Sequence, residues 1–351
     1  MQAAGQDGSG FIIIGENIHT TRIVPTKSPR MIGADDGGPA LRYVAADGAE
    51  RRLPIPESAM AGHDFREGRI KHVKIAVQAA MSDAPADRAE GWEYLRHLVH
   101  RQEVAGAAFL DLNVDEISLK PAEQKTAMAW LVGAVQQMTR LPPAVDSSNI
   151  ETIRVGLEAC ERPGPRPLLN SASLERIDAL DLAREHGAQV VVTAAGEKGM
   201  PSDAAERLAN ATRMVDAALA KGLAMADIYV DPLIFPISVD KDYGLHCLDA
   251  IRALRAAYGP AIHITGGMSN VSFGIPYRKI INDVFLILAM AAGADSGIID
   301  PVTSRPDEVL RLDRASRAYQ LAEDVLLGRD ENCRLYLRAW RKGEFKVATS
   351  A

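Results

Sequence analysis

Asp111, Asp146, Asn170, Asp231 and Asn270 each close a short apolar run that reads as a β-strand, and each stands just ahead of a helix-like stretch. The runs are Phe109 to Asn113, Pro143 to Ser147, Leu168 to Ser171, Ile228 to Pro232 and the segment Gly266-Gly267-Met268-Ser269-Asn270-Val271-Ser272. In a closed parallel barrel the C-terminal strand ends gather on one face, where polar residues bind or react rather than pack. Short carboxylates and carboxamides with few basic companions suit a ligand rich in N–H donors. That chemistry favours a heterocycle over a polyphosphate.

Such residues need a scaffold, and the rhythm of the chain supplies one. Strand-like runs fall at about 11–15, 107–113, 142–146, 166–170, 189–194, 228–231, 261–266 and 295–299. Helix-period segments separate them at about 84–104, 121–139, 150–160, 174–186, 202–221, 245–258, 277–292 and 306–326. Eight strands alternating with eight helices predict an α/β fold of the (β/α)8 TIM-barrel type, as a single domain over residues 1–351. A doubly wound open sheet is the alternative. Its dinucleotide-binding form is weakened because no Gly-x-Gly-x-x-Gly follows the first strand. Ser148 with Asn149, and Ser202 with Asp203, are placed to cap the third and fifth helices.

One interval breaks the rhythm. Residues 16–83 are far too long for a βα loop and predict an insertion at the barrel mouth. Leu41 to Val44 and Arg51 to Ile55 flank Ala46-Asp47-Gly48, the pattern of a β-hairpin with an Asp-Gly turn, and a helix is expected from about Arg66 to Met81. A lid, a docking surface or a simple decoration all fit this segment. Residues 328–351 form a C-terminal extension, expected as a terminal helix followed by a loose end.

Composition narrows the partners. Of 351 residues, 47% are hydrophobic, enough for a sizeable core, and 40 basic against 46 acidic residues leave a net charge of −6. No Lys/Arg block stands out, so neither nucleic acid nor a membrane surface is expected as a partner. The first ten residues lack the pattern of a signal peptide, and the apolar stretch from Val284 to Ala292 is too short to span a bilayer. Three widely spaced cysteines, Cys160, Cys247 and Cys333, suit a reducing cytoplasm.

Taken in order, Gly15-Glu16-Asn17, Asp111 to Glu116, Asp146 to Asn149, Asn170-Ser171, Asp231-Pro232 and Gly266 to Gly274 resemble the pterin-binding barrel of the methyltetrahydrofolate:corrinoid methyltransferase family, which includes the folate domain of cobalamin-dependent methionine synthase. The resemblance covers about residues 11–326 apart from the insertion. It implies a methyl group moved between N5 of tetrahydrofolate, or 5-methyltetrahydrofolate, and the cobalt of a corrinoid. It also implies a site made of Glu16, Asp111, Asn113, Asp146, Asn149, Asn170, Asp231, Gly267, Ser269, Asn270 and Arg278, with no metal. Asp111 and Asp231 would hold the pyrimidine edge of the pterin, Asn149 and Asn170 would read the same heterocycle, and Asn270 would reach N5. Asn270 and Asp111 are the catalytic candidates. No Asp-x-His-x-x-Gly segment marks a cobalamin-binding module, so the cobalamin would arrive on a partner corrinoid protein. A homodimer is expected.

Plainer uses compete for some of these residues. Asp146 with Ser147 and Ser148 suits a helix cap, and Asn170-Ser171 and Asp231-Pro232 suit turns. His263 reads as a core or lining histidine, while His19 lies near the mouth without an evident role. The insertion departs from the short corrinoid-protein methyltransferases, as do Asn17-Ile18-His19 and the end of the loop Phe273 to Arg278. Dihydropteroate synthase shares the barrel and the ring, but its Ser-Thr-Arg-Pro loop is replaced here by Asp115-Glu116-Ile117-Ser118. A folate-binding subunit without catalysis is the remaining alternative.

Overall fold

The computed structural model describes residues 10–33, 38–197 and 199–345. Eight strands form one sheet: β1 (Ile12–His19), β2 (Phe109–Asn113), β3 (Pro143–Asp146), β4 (Leu168–Ala172), β5 (Gln189–Thr193), β6 (Ile228–Asp231), β7 (His263–Ile264) and β8 (Ser296–Ile299). Their order is β7-β6-β5-β4-β3-β2-β1-β8, and a parallel bridge between Gly267 and Ile298 joins the β7 end of that order to β8. The helices between them are α1 (Pro85–Val104), α2 (Pro121–Met138), α3 (Ile150–Glu158), α4 (Ala179–His186), α5 (Ala204–Ala220), α6 (Tyr243–Tyr258), α7 (Arg278–Ala292) and α8 (Arg317–Leu326). This is the strand order of a (β/α)8 barrel. Contacts divide the chain into two compact units, Gly15–Asn170 and Met1–Ile14 with Ser171–Ala351.

In the unit Gly15–Asn170, β2, β3 and β4 run parallel with Asn113 opposite Asp146 and Asp146 opposite Asn170. The Thr20 N–H donates to the Asn113 carbonyl at 2.9 Å, so the end of β1 lies beside the end of β2. β1 is longer than expected and carries Glu16, Asn17 and His19 within the strand instead of beyond it. Proline opens α1 and α2, where its missing N–H leaves no helical bond unmade. Asn149 caps α3 through the Glu151 N–H, as its position suggested.

The insertion belongs to this same unit. Ala40–Val44 and Glu50–Pro54 pair antiparallel around the expected turn, where Asp47 Oδ1 accepts from the Ala49 N–H at 3.0 Å, and Met31–Ile32 adds a third strand. The hairpin does not stand alone. Tyr43 packs edge-on against Tyr94 of α1 at 4.9 Å between ring centres and against His97 at 5.0 Å, with Leu41 and Leu53 wholly buried. Arg30 donates to the Tyr94 hydroxyl at 2.8 Å, which also meets His72 Nδ1 at 3.0 Å. Burial pushes His72 down to about 3, so it takes part as a neutral ring.

The helix expected from Arg66 to Met81 is in fact two, His63–Arg66 and His72–Ala80, separated by Arg69–Ile70, which pairs with Val24–Pro25. Gly91 of α1 permits the close approach of the second: a Cβ there would fall 2.4–2.5 Å from backbone atoms of Ala80 and Ala76.

In the other unit, β5, β6 and β7 run parallel, with Thr193 opposite Asp231 and Tyr229 opposite His263. The expected fifth helix starts at Ala204 with Asp203 as its cap, Oδ1 accepting from the Glu206 N–H at 2.8 Å. The helix expected over 306–326 is broken: Pro306–Val309 stops early, and α8 restarts behind Ser316, which caps it through the Tyr319 N–H. After α8, Arg334–Arg341 forms the expected terminal helix, anchored by the buried Tyr336, whose hydroxyl donates to the Tyr277 carbonyl at 2.9 Å. The expected loose end, 346–351, and the polar start, 1–9, lie outside the described residues. Cys160, Cys247 and Cys333 are buried free thiols. Among the described residues no helix is long and apolar enough to cross a membrane.

Candidate functional site

Strand periodicity puts Asp111 and Asn113 on one side of β2, and the register sets Asn113, Asp146 and Asn170 in one row. The side chains are bonded along that row. Asn113 Nδ2 donates to Asp146 Oδ2 at 2.8 Å, and Asn170 Nδ2 donates to Asp111 Oδ1 at 3.3 Å. Asp111 is 1% exposed and Asn113 is 8% exposed, whereas Asp146 and Asn170 keep part of their surface open. Asp146 does not cap the following helix; that role belongs to Asn149.

His19 now acquires a role. Its Nε2 lies 2.8 Å from Asp111 Oδ2, a contact between residues 92 positions apart. Burial alone would lower the imidazole pKa, but the Asp111 hydrogen bond and charge, with Asp146 and Glu16 behind, raise it to about 9. The ring is therefore an imidazolium at neutral pH and offsets the crowding of two carboxylates. Asp146 itself is pushed toward neutrality, first by burial and then by the Asp111 charge. Glu16, mid-strand in β1, pairs with Arg22 at 3.0 Å. His19, Asp111 and Asp146 offer ligand-type atoms within 4.8 Å of one another. Nε2 and Oδ2 are already bonded to each other, however, and we assign no metal to them.

This pairing sets a pH dependence. A histidine raised from 6.5 to about 9 contributes stability that is complete below 6.5 and is lost as pH climbs through 9. The melting temperature of wild type over a His19→Gln variant should therefore be most elevated below pH 6.5, and the gap should narrow towards pH 9. A gap that stays constant over this range would mean the pair carries no charge.

In the second unit, Asp231 ends β6 in an Asx turn, its Oδ1 accepting from the Leu233 N–H at 2.8 Å while Leu233 takes φ +67°. Burial raises its pKa to about 6, moderated by that N–H and by the charge of Arg207. Gly266 (φ +153°) and Gly267 follow β7, and their lack of side chains serves the protein's own groups. A Cβ on Gly266 would lie 2.9 Å from Asp231 Oδ1, and one on Gly267 would lie 2.8 Å from Asn270 Nδ2. The two glycines thus make room for Asp231 and Asn270.

Asn270 sits in the 3-10 turn Met268–Ser272, half-buried, and its side-chain amide makes no hydrogen bond among the described residues. Arg278 braces the turn, donating to the Ser269 carbonyl at 2.7 Å and to Ser272 Oγ at 2.9 Å, with its guanidinium 4.3 Å from the Phe273 ring centre. Ser269 thus contributes its carbonyl to that brace. His263 is a satisfied core histidine, bonded to Asp295 at 2.9 Å and stacked on Tyr229.

Sequence reasoning had no signal for Arg207 of α5, which is fully buried beside Phe235, 4.9 Å from its ring centre.

Residues 86–300 match the family described as "Pterin binding enzyme". The chain belongs to the pterin-binding enzyme family. It is 30% identical over 257 residues to a methylcorrinoid:tetrahydrofolate methyltransferase of Eubacterium limosum, covering 72% of this chain and 88% of that one. It is also 30% identical over 240 residues to methionine synthase of Mycobacterium leprae, covering 63% of this chain but only 19% of that much longer protein. Both relatives are methyltransferases, and this chain is a transferase-class enzyme with them. Among solved structures, dihydropteroate synthase from Stenotrophomonas maltophilia aligns with a TM-score of 0.51 at 18% identity, over 64% of this chain and 87% of that one. At that identity the likeness speaks for the barrel and not for the reaction.

Proposed function

We propose that this pterin-binding enzyme transfers a methyl group between the cobalt of a corrinoid, carried on a separate protein, and N5 of tetrahydrofolate. The observation that carries the reading is the bonded row of Asp111, Asn113, Asp146 and Asn170, acceptor-rich and backed by the His19 imidazolium. An aminopyrimidinone edge presents several N–H donors, and carboxylates accept them in charge-assisted bonds. Amides complete the match without adding charge that must be neutralised. In this reading Asp111, Asn170 and Asp231 hold the pyrimidine edge, Glu16, Asn113, Asp146 and Asn149 shape its surroundings, and Gly267, Ser269 and Arg278 set Asn270 at N5. The proposal extends to a homodimer in the cytoplasm.

The name of the Eubacterium limosum relative puts the methyl on the corrinoid first, and we adopt that direction. The N5 lone pair attacks the methyl carbon, the N–C bond forms as the Co–C bond breaks, and its electron pair stays on cobalt as Co(I). The N5 proton then leaves to water. Positive charge grows on N5 during attack, so the Asn270 carbonyl oxygen, accepting from N5–H, binds the transition state more tightly than the ground state. In reverse the same contact helps N5 to regain its proton.

Titrating tetrahydrofolate against pH tests the ring placement. Asp231 makes charge-assisted bonds to the ring only when ionised, so affinity should level off above pH 7 and fall as pH drops below about 6. Asp231→Asn should bind weakly and lack that inflection. The same pH dependence in both proteins would remove Asp231 from the pyrimidine edge.

A further inference from the structure

The insertion contains a cavity of about 240 Å³ that the methyl-transfer reading leaves unused. Ile55, Phe65 and Ile75 supply its apolar lining, and Arg69, Lys71 and Lys74 its charge, against the single carboxylate of Asp64. The three cations are unequally committed. Lys71 is taken up by Asp64 at 2.9 Å and Glu116 at 2.6 Å, and among the described residues Arg69 reaches only Asp64, at 3.5 Å. Lys74, half-buried on the helix His72–Ala80, makes no ion pair or hydrogen bond among the described residues. The N-terminal turn of that helix forms one wall and adds its own positive potential. An apolar floor with an unspent ammonium suits a carboxylate on a carbon chain.

The cavity is tied to the bonded row through the same unit. Lys71 pairs with Glu116 in the loop after β2, the Glu116 N–H donates to Thr20 Oγ1 at 3.1 Å, and the Thr20 N–H donates to the Asn113 carbonyl. Thr20 directly follows His19, the partner of Asp111. A ligand whose ring lies on Asp111 and Asn113, and which bears a long arm ending in carboxylates, has that arm's receptor close by.

We propose that this cavity binds the glutamyl tail of the folate, with Lys74 as its principal contact and Arg69 as its second. The inference rests on the pterin reading of Asp111 and its neighbours, and adds to it a preference for tailed substrates. It gives the insertion a substrate-selecting role built from this chain's own residues.

The test compares three ligands: 6-methyltetrahydropterin, which has no tail, tetrahydrofolate monoglutamate and tetrahydrofolate triglutamate. Equilibrium binding is measured with wild type, Lys74→Ala and Arg69→Ala/Lys74→Ala, each checked for an unchanged melting temperature. Wild type should bind the triglutamate more tightly than the tailless pterin, and the preference should shrink as salt screens the charges. Lys74→Ala should weaken triglutamate binding by about two- to fivefold, the upper part of the range of a partly exposed charge contact, and the double variant further. Binding of 6-methyltetrahydropterin should be the same in all three proteins. Equal triglutamate affinity in wild type and both variants would overturn the inference, as would a wild type indifferent to the tail. If wild type binds none of the three ligands, the pterin reading fails instead.

Discussion

Replacing Asn270 with alanine is expected to lower methyl transfer by ~10²–10⁴, the usual worth of a positioned hydrogen-bonding or proton-handling group, while tetrahydrofolate affinity changes little. The turn that carries Asn270 is held by groups other than its side chain. Arg278 braces it through the Ser269 carbonyl and Ser272 Oγ, and the Asn270 N–H donates to the Gly267 carbonyl at 3.0 Å. Removing the amide should therefore leave the turn standing, and single-turnover rates beside equilibrium titration would separate chemistry from binding. A variant with wild-type turnover would take Asn270 out of the mechanism.

Asp111→Asn should act on binding. Asp111 is 1% exposed, so its acceptors are desolvated and committed to His19, to Asn170 and, in our reading, to the ring. Exchanging a charged acceptor for an amide that also presents a donor should cost about 1.5–3 kcal/mol of ligand affinity. The same substitution removes the largest influence raising the His19 pKa, which should fall from about 9 towards or below 6.5. Proton resonances of the His19 ring would report this without any ligand. Unchanged titration of His19 would show that the pair does not form in solution, and unchanged folate affinity would place the ring elsewhere.

The barrel was legible because its strands are buried on both sides and read as unbroken apolar runs, as in Pro143–Asp146 and Ile228–Asp231. The caps at Asn149 and Asp203 were legible for a local reason: each bonds an N–H two or three residues on. The errors arose where tertiary contacts override local pattern. β1 continues through Glu16 and His19 because Arg22 and Asp111 satisfy those polar side chains, and neither partner is implied by the strand's own sequence. β7 ends at Ile264 because Gly266 turns the backbone to φ +153° to admit Asp231, which a run read as 261–266 conceals. The break before Ser316 was written locally, as a cap three residues ahead of Tyr319, but helical periodicity on both sides masked it.

The candidate site divides the same way. Its residue types and strand-end positions could be listed from sequence, since a carboxylate closing an apolar run is conspicuous. Its bonding could not. The His19–Asp111 contact spans 92 positions, and the Asn113–Asp146 bond depends on the register of β2 against β3. The hairpin shows the limit from the other side. Its Asp-Gly turn predicted the strands well, but only the packing of Tyr43 on Tyr94 and His97 shows that it is part of the helical layer.

Methyl transfer itself can be watched by mixing the enzyme with methylcobalamin and tetrahydrofolate without oxygen, following the cobalt absorbance while quantifying the folate product. The expected result is Co(I) and 5-methyltetrahydrofolate appearing together in equal amounts, at a rate that collapses in Asn270→Ala. A protein that binds tetrahydrofolate yet leaves the methyl on cobalt, both with methylcobalamin and with a methylated corrinoid protein, would contradict the proposed reaction.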